Sequence, residues 1–313
     1  MSLVASLRAL LSLGLRRLLG APAPPAGDAD DPRTLELLRR AEEARRARRA
    51  EEAGTLYRQV LDLRRAHPGA LRGLRELAVE AGAWGEALEL QQRLHAAAAA
   101  GERAGEAQWL AVIHYELGRA ELGRANTPAA LGHFKNAVRA DRDFLPAALA
   151  LGDAHELAGD HREAMRAWER AAETAPALPL LVRLEKSYRQ EGRPSRMIAL
   201  YRQALERAPD DLGLAVALGR VLFELEMLDE AADQFEKVEV QAPDLPAVHA
   251  YLGAVFERRG ETRAAFEEYR RALRLGHAFD WPHRCAACGA RAPTWQERCP
   301  GCRRWNTLRS ARA

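Results

Sequence analysis

The stretch TPAALGHFKNAVRADRDFLPAALALGDAHELAGDHREAMRAWERAAETAP, residues 127–176, contains the period that decides the fold. Phe134 and Trp168 stand one full period apart within it, and each is followed three positions later by alanine, Ala137 and Ala171. Following the bulky position outward gives Phe134, Trp168, Tyr201, Phe235 and Tyr269, at intervals of 34, 33, 34 and 34. The small position keeps step through Ala204, Val238 and Ala272, as do Gly118, Gly152, Gly219 and Gly253, with Glu185 in the one slot that lacks glycine. Pro176, Pro209 and Pro243 recur at the ends of successive units, where proline cannot continue a helical hydrogen-bond ladder. The small residues mark close approach of two helices, and the aromatic fills the space beside them.

This period resembles the tetratricopeptide repeat, a helix–turn–helix unit of about 34 residues. Two weaker units precede the clear ones: Ala53 and Tyr57 lead to His67-Pro68, and Ala87 follows Ala53 by the same interval. The longer step from there to Phe134 predicts an insertion within AAAAAGERAGEAQ. About seven helix pairs are expected over 32–277. The expected fold is all-α: a right-handed solenoid that buries apolar faces against neighbouring units and offers a long surface to protein segments. In the repeat register that surface is lined by Tyr115 and Arg119, Leu149 and Asp153, Val182 and Lys186, and Val216 and Arg220. It lacks the regular Lys/Asn ladder that would clamp a peptide's C-terminal carboxylate. His114, His155 and His249 fall at repeat positions and read as packing residues.

Composition agrees with amphipathic helices: 48% of residues are hydrophobic, only 6% aromatic and 29% charged. The only lysines are Lys135, Lys186 and Lys237, so arginine supplies nearly all positive charge. A net charge of +3 over 313 residues argues against a nucleic-acid footprint spread along the chain. No Gly-Lys phosphate loop and no H-E-x-x-H occurs, and every thiol falls in one metal motif, so the sequence reads as non-enzymatic.

That motif lies in the tail, HRCAACGARAPTWQERCPGCRRWNTL, where Cys285 and Cys288 form one C-x-x-C and Cys299 and Cys302 another, with ten positions between the pairs. Each pair turns two sulfurs to one side of the backbone, and two such knuckles face to face make a closed tetrathiolate. Gly289 and Pro300-Gly301 suit the tight turns. Four thiolates leave no open position, so one structural ion, iron or zinc, is expected, and it supplies the folding energy of a module too short to have its own core. Trp295 and Trp305 are expected to pack over the site or against the last repeat. Arg284, Arg291, Arg298, Arg303, Arg304, Arg309 and Arg312 face a single acid, Glu297, which suits RNA, anionic headgroups or an acidic protein.

Residues 1–20 place Leu3, Val4, Leu7, Leu10, Leu11, Leu15 and Leu18 on one helical face and Arg8, Arg16 and Arg17 on the other. A cationic helix in the headgroup plane fits this pattern. Capping of the array, a signal ending near Ala21-Pro22-Ala23, or absence of fixed structure are the alternatives. Residues 21–31 read as a Pro/Gly/Asp-rich linker, and the metal module as 281–313.

The order of amphipathic N-terminus, repeats and C-A-A-C-G…C-P-G-C followed by Arg304-Trp305 resembles the lipopolysaccharide assembly protein B family. The resemblance implies a rubredoxin-type module with Cys285, Cys288, Cys299 and Cys302 as ligands. It implies a location at the cytoplasmic face of the inner membrane. It also implies regulation of lipopolysaccharide synthesis, as an adaptor between a membrane-bound ATP-dependent protease and the lipid A pathway deacetylase. The alternative is a nucleic-acid-binding repeat protein that uses the basic metal ribbon.

Overall fold

In a computed structural model, residues 31–275 and 283–310 are described. The readings made of residues 1–20 and most of the linker after them lie outside these. Fourteen helices are present among the described residues. They are α1 (Pro32–Arg46), α2 (Ala50–Leu63), α3 (Pro68–Glu80), α4 (Trp84–Ala97), α5 (Arg103–Gly123), α6 (Thr127–Ala140), α7 (Leu145–Leu157), α8 (His161–Thr174), α9 (Leu178–Gln190), α10 (Pro194–Arg207), α11 (Leu212–Glu224), α12 (Leu228–Gln241), α13 (Pro246–Arg258) and α14 (Thr262–Arg274). Each odd-numbered helix packs on the helix that follows, giving seven hairpins of the tetratricopeptide kind. None of these helices is long and apolar enough to cross a membrane. The chain divides between Ala97 and Ala98 into two compact units.

Every hairpin turns through one residue with a left-handed backbone: Arg48, Gly82, Ala125, Gly159, Gly192, Glu226 and Gly260. Successive members of this set are spaced by 33 or 34, except for 43 between Gly82 and Ala125. The insertion expected there thus adds nine positions, and they are spent on Ala98–Glu102 and on α5, which at 21 residues is the longest helix. Pro176, Pro209 and Pro243 each stand just beyond a helix end, after Thr174, Arg207 and Gln241.

Within the second unit the glycine–aromatic pairing has a direct steric reason. A Cβ on Gly118 would meet the Phe134 ring at 2.5 Å, one on Gly219 the Phe235 ring at 2.5 Å, and one on Gly253 the Tyr269 ring at 2.7 Å. The Trp168 ring closes on Gly152 in the same way. The slot that holds Glu185 solves the problem with polar chemistry. Tyr201 donates its hydroxyl hydrogen to the Glu185 carboxylate at 2.7 Å, and Arg220 and Arg189 donate to the same group at 2.5 and 2.9 Å. Burial pushes the Glu185 carboxyl up, but the hydrogen bonds from Arg220 and Tyr201 outweigh it and hold the group below its ordinary range.

The first helices of successive pairs are tied by arginine–carboxylate contacts. Arg183 on α9 grips Asp153 on α7 with two bonds of 2.6 and 2.8 Å. Arg220 on α11 reaches back to Glu185 on α9, while Arg189 on α9 reaches forward to Glu224 on α11. The expected lining of this face therefore needs correction. Leu149 and Val216 belong to the core, at 5% and 2% exposure, and Asp153 and Arg220 are engaged within the protein. Val182 and Lys186 are exposed as expected.

His114, His155 and His249 pack as expected, with a partner or in the core. His155 and His249 are buried, and His249 faces Glu268 at 2.7 Å with its other nitrogen on the Pro243 carbonyl. His114 is half-buried and lies 3.2 Å from His133, nitrogen to nitrogen.

Candidate metal centre

The C-terminal module consists of three short antiparallel strands in the order β2-β1-β3: β1 (His283–Cys285), β2 (Arg291–Ala292) and β3 (Leu308–Ser310). Its core is only Cys285, Ala292, Cys299 and Leu308, with Ala290, Trp295 and Cys302 packed against them. So small a cluster cannot hold a fold by burial, which leaves the energy to a bound ion.

The two knuckles repeat one backbone pattern. The Gly289 amide donates to the Cys285 carbonyl at 2.9 Å, and the Arg303 amide donates to the Cys299 carbonyl at 3.0 Å. The Cys285 amide donates to Ala290 at 2.9 Å, and that of Cys299 to Arg304 at 2.8 Å. The fourth residue after each leading cysteine is left-handed: Gly289 in the first knuckle, but Arg303 in the second. Gly301 is needed for a different reason than turn freedom. A Cβ there would stand 3.0 Å from the Ala290 side chain and within 4 Å of the Cys288 and Cys299 sulfurs, between the facing knuckles.

All four sulfurs lie within 4.8 Å of one another, with Cys285–Cys302 and Cys288–Cys299 both at 3.7 Å. A regular tetrahedron with metal–sulfur bonds of ~2.3 Å has edges of about 3.8 Å. The donor set fits a divalent or trivalent ion held by four thiolates, and these distances suit iron and zinc alike. Thr307 Oγ1 lies 3.2 Å from the Cys285 sulfur, and this bond, with the amides of Ala287 and Cys288, lowers the Cys285 thiol to about 6 against burial. Cys288 moves the other way, to about 11: the Ala290 amide favours its thiolate, but the adjoining sulfurs outweigh it. A cation at the centre would remove that repulsion.

Trp295 packs over the site as expected, whereas Trp305 reaches α5 rather than the last repeat. The Trp305 ring meets Tyr115 of α5 edge-on at 5.7 Å and joins the cluster containing Phe134 and Phe144. Asn306 donates from its side chain to the Asp143 carbonyl at 3.0 Å. Glu297 lies 3.8 Å from Arg119 of α5. Trp295 packs both on the metal module and on the large core cluster of residues 145–255. Tyr115 and Arg119, expected on an open face, are thus the docking point for a module from the other end of the chain. Burial, with Glu297 adding to it, pushes the Tyr115 hydroxyl far above its ordinary value. The second knuckle lies between the two tryptophans in the chain, so an ion held by Cys299 and Cys302 would fix the segment that presents them.

A family model described as a rubredoxin metal binding domain, a zinc ribbon bearing the name LapB, matches residues 283–310. Two tetratricopeptide repeat models match residues 115–179 and 188–255. The chain is a tetratricopeptide repeat protein with a rubredoxin-type metal-binding domain at its C-terminal end. That order of domains is the architecture of the lipopolysaccharide assembly protein B family. Among solved structures, YrrB, a tetratricopeptide repeat protein with an unusual peptide-binding site, is 20% identical, with a TM-score of 0.38 over 53% of this chain and 86% of its own. Two structures of MamA are each 17% identical, with TM-scores of 0.39 and 0.41 over 50% and 53% of this chain and 93% and 91% of theirs.

Proposed function

We propose that the protein is a non-enzymatic adaptor at the cytoplasmic face of the inner membrane. In this reading it regulates lipopolysaccharide synthesis by bringing a membrane-bound ATP-dependent protease to a deacetylase of the lipid A pathway. Its repeats bind protein segments, as arrays of this kind do. Cys285, Cys288, Cys299 and Cys302 hold one iron or zinc ion whose task is placement rather than reaction, because a four-sulfur shell has no position for substrate. The observation that carries the reading is the seating of Trp305, Asn306 and Glu297 on Tyr115, Arg119 and Asp143. Through it the ion fixes what the repeat face presents to a partner. The membrane location and the named partners come from the family resemblance and from the cationic amphipathic pattern of residues 1–20.

The test is affinity capture from a native membrane fraction, comparing wild type with Cys299→Ser/Cys302→Ser. The reading expects protease and deacetylase among the wild-type partners and loss of at least one in the variant. Identical partner sets with and without the metal ligands would refute the placement role.

A further inference from the structure

The strand register of the metal module creates a feature that its folding does not require. Arg284 on the central strand is paired directly with Arg291 on one side and Arg309 on the other. Side chains alternate along a strand, so these three leave one face of the sheet while Cys285, Ala292 and Leu308 face the buried side. All three arginines are exposed. Like charges directly opposed across strands destabilise a sheet. Among the described residues none of the three pairs with a carboxylate, and Glu297, the one acid between 283 and 310, faces Arg119 of α5 at 3.8 Å. The other contacts of the row are slight: Arg309 donates to the Leu308 carbonyl, and the Arg284 guanidinium lies over Gly289. A tetrathiolate around a divalent ion carries −2, which cannot neutralise the six arginines of residues 283–310.

We propose that Arg284, Arg291 and Arg309 form a phosphate-binding face that seats the metal module on the headgroups of anionic phospholipids. Arginine is suited to this because its planar fork binds phosphate oxygens two at a time. Strands stand about 4.8 Å apart, so the row is a flat line of about 10 Å rather than a converging cradle. A flat, open row fits a surface carrying many phosphates better than one soluble phosphate, which needs donors closing around it. The inference rests on the membrane placement proposed above for the choice of lipid.

The test uses the full metal-loaded chain and vesicle sedimentation. Vesicles of equimolar phosphatidylglycerol and phosphatidylcholine are compared with phosphatidylcholine alone, for wild type, Arg284→Thr/Arg291→Thr/Arg309→Thr, and Arg8→Gln/Arg16→Gln/Arg17→Gln. At about fivefold per arginine near an anionic surface, the module variant should lose at least tenfold in partition to anionic vesicles. It should keep its metal content and melt no lower than wild type, since the opposed charges are gone. A module variant that partitions like wild type overturns the proposal, while loss in the N-terminal variant alone would leave the membrane placement standing. A wild type that ignores anionic vesicles overturns both. Displacement of wild type from vesicles by inorganic phosphate at unchanged ionic strength, or tighter binding of labelled single-stranded RNA than of vesicles, overturns the lipid assignment.

Discussion

Trp305→Ala should release the metal module from the repeats while leaving the ion in place. The indole stands edge-on to Tyr115 at 5.7 Å, and the Arg298 guanidinium lies 5.4 Å from its centre. Truncating a fully buried tryptophan costs about 3–5 kcal/mol. This one is half-buried, so the expected loss is about 2 kcal/mol, of which the aromatic pair itself supplies ~0.5–1.5 kcal/mol. The four ligands are untouched, so the loss falls on docking. Hydrogen exchange in the full metal-loaded chain reads it at the Cys299 amide, bonded to Arg304, and at the Asn306 amide, bonded to Glu297. Where opening follows undocking, about 2 kcal/mol corresponds to roughly 30-fold faster exchange. Tyr115→Ala should give a similar acceleration, and the double variant little more, because both remove one contact. Unchanged exchange at these two amides, or full additivity of the two substitutions, would refute the coupling between metal module and repeats.

Three further outcomes follow from the repeats. Ala125→Gly should stabilise the protein by about 1 kcal/mol in urea unfolding, because Ala125 holds a left-handed turn that glycine adopts freely; a loss of stability would contradict the turn analysis. Glu185→Ala should cost about 1–3 kcal/mol by leaving the buried Tyr201 hydroxyl without its acceptor and Arg220 with Glu224 alone, and Glu185→Gln should recover part of it, both read from the denaturation midpoint. Burial, and to a lesser degree His133, hold His114 at about 4 against an ordinary 6.5. Between those values the unfolded chain takes up a proton that the folded chain refuses, so stability should fall as pH drops from 6.5 towards 4. For a half-buried ring, after allowing for solvent screening, the change is of order 1–2 kcal/mol, and His114→Phe should flatten that slope.

The repeats were legible because close packing of two helices leaves a fixed-interval trace: Phe134, Trp168, Tyr201, Phe235 and Tyr269 against their small partners. The polar exception at Glu185 was visible as a gap, but its solution depends on Arg220, on the next hairpin. Three of the seven turns were hidden because Arg48, Ala125 and Glu226 hold the left-handed position without glycine. The same thing happened in the metal module, where Arg303 rather than Gly301 makes the second turn. The four cysteines could be read from spacing, since a knuckle is a local structure. The docking of Trp305 on Tyr115 could not, because no periodic rule connects residues so far apart in the chain. Tyr115 therefore read as part of an open face, and Leu149 and Val216 with it, although repeat packing buries the last two.

The central claim is that Cys285, Cys288, Cys299 and Cys302 close around one ion that holds the module in shape. Elemental analysis of the protein purified under reducing conditions tests it most directly, beside a variant with one ligand removed from each knuckle, Cys288→Ser/Cys299→Ser. The account predicts one equivalent of iron or zinc per wild-type chain and none in the variant, with the helical signal of the repeats retained in both. A wild type that binds no metal after reconstitution with either ion, or a variant that retains a full equivalent, would contradict it.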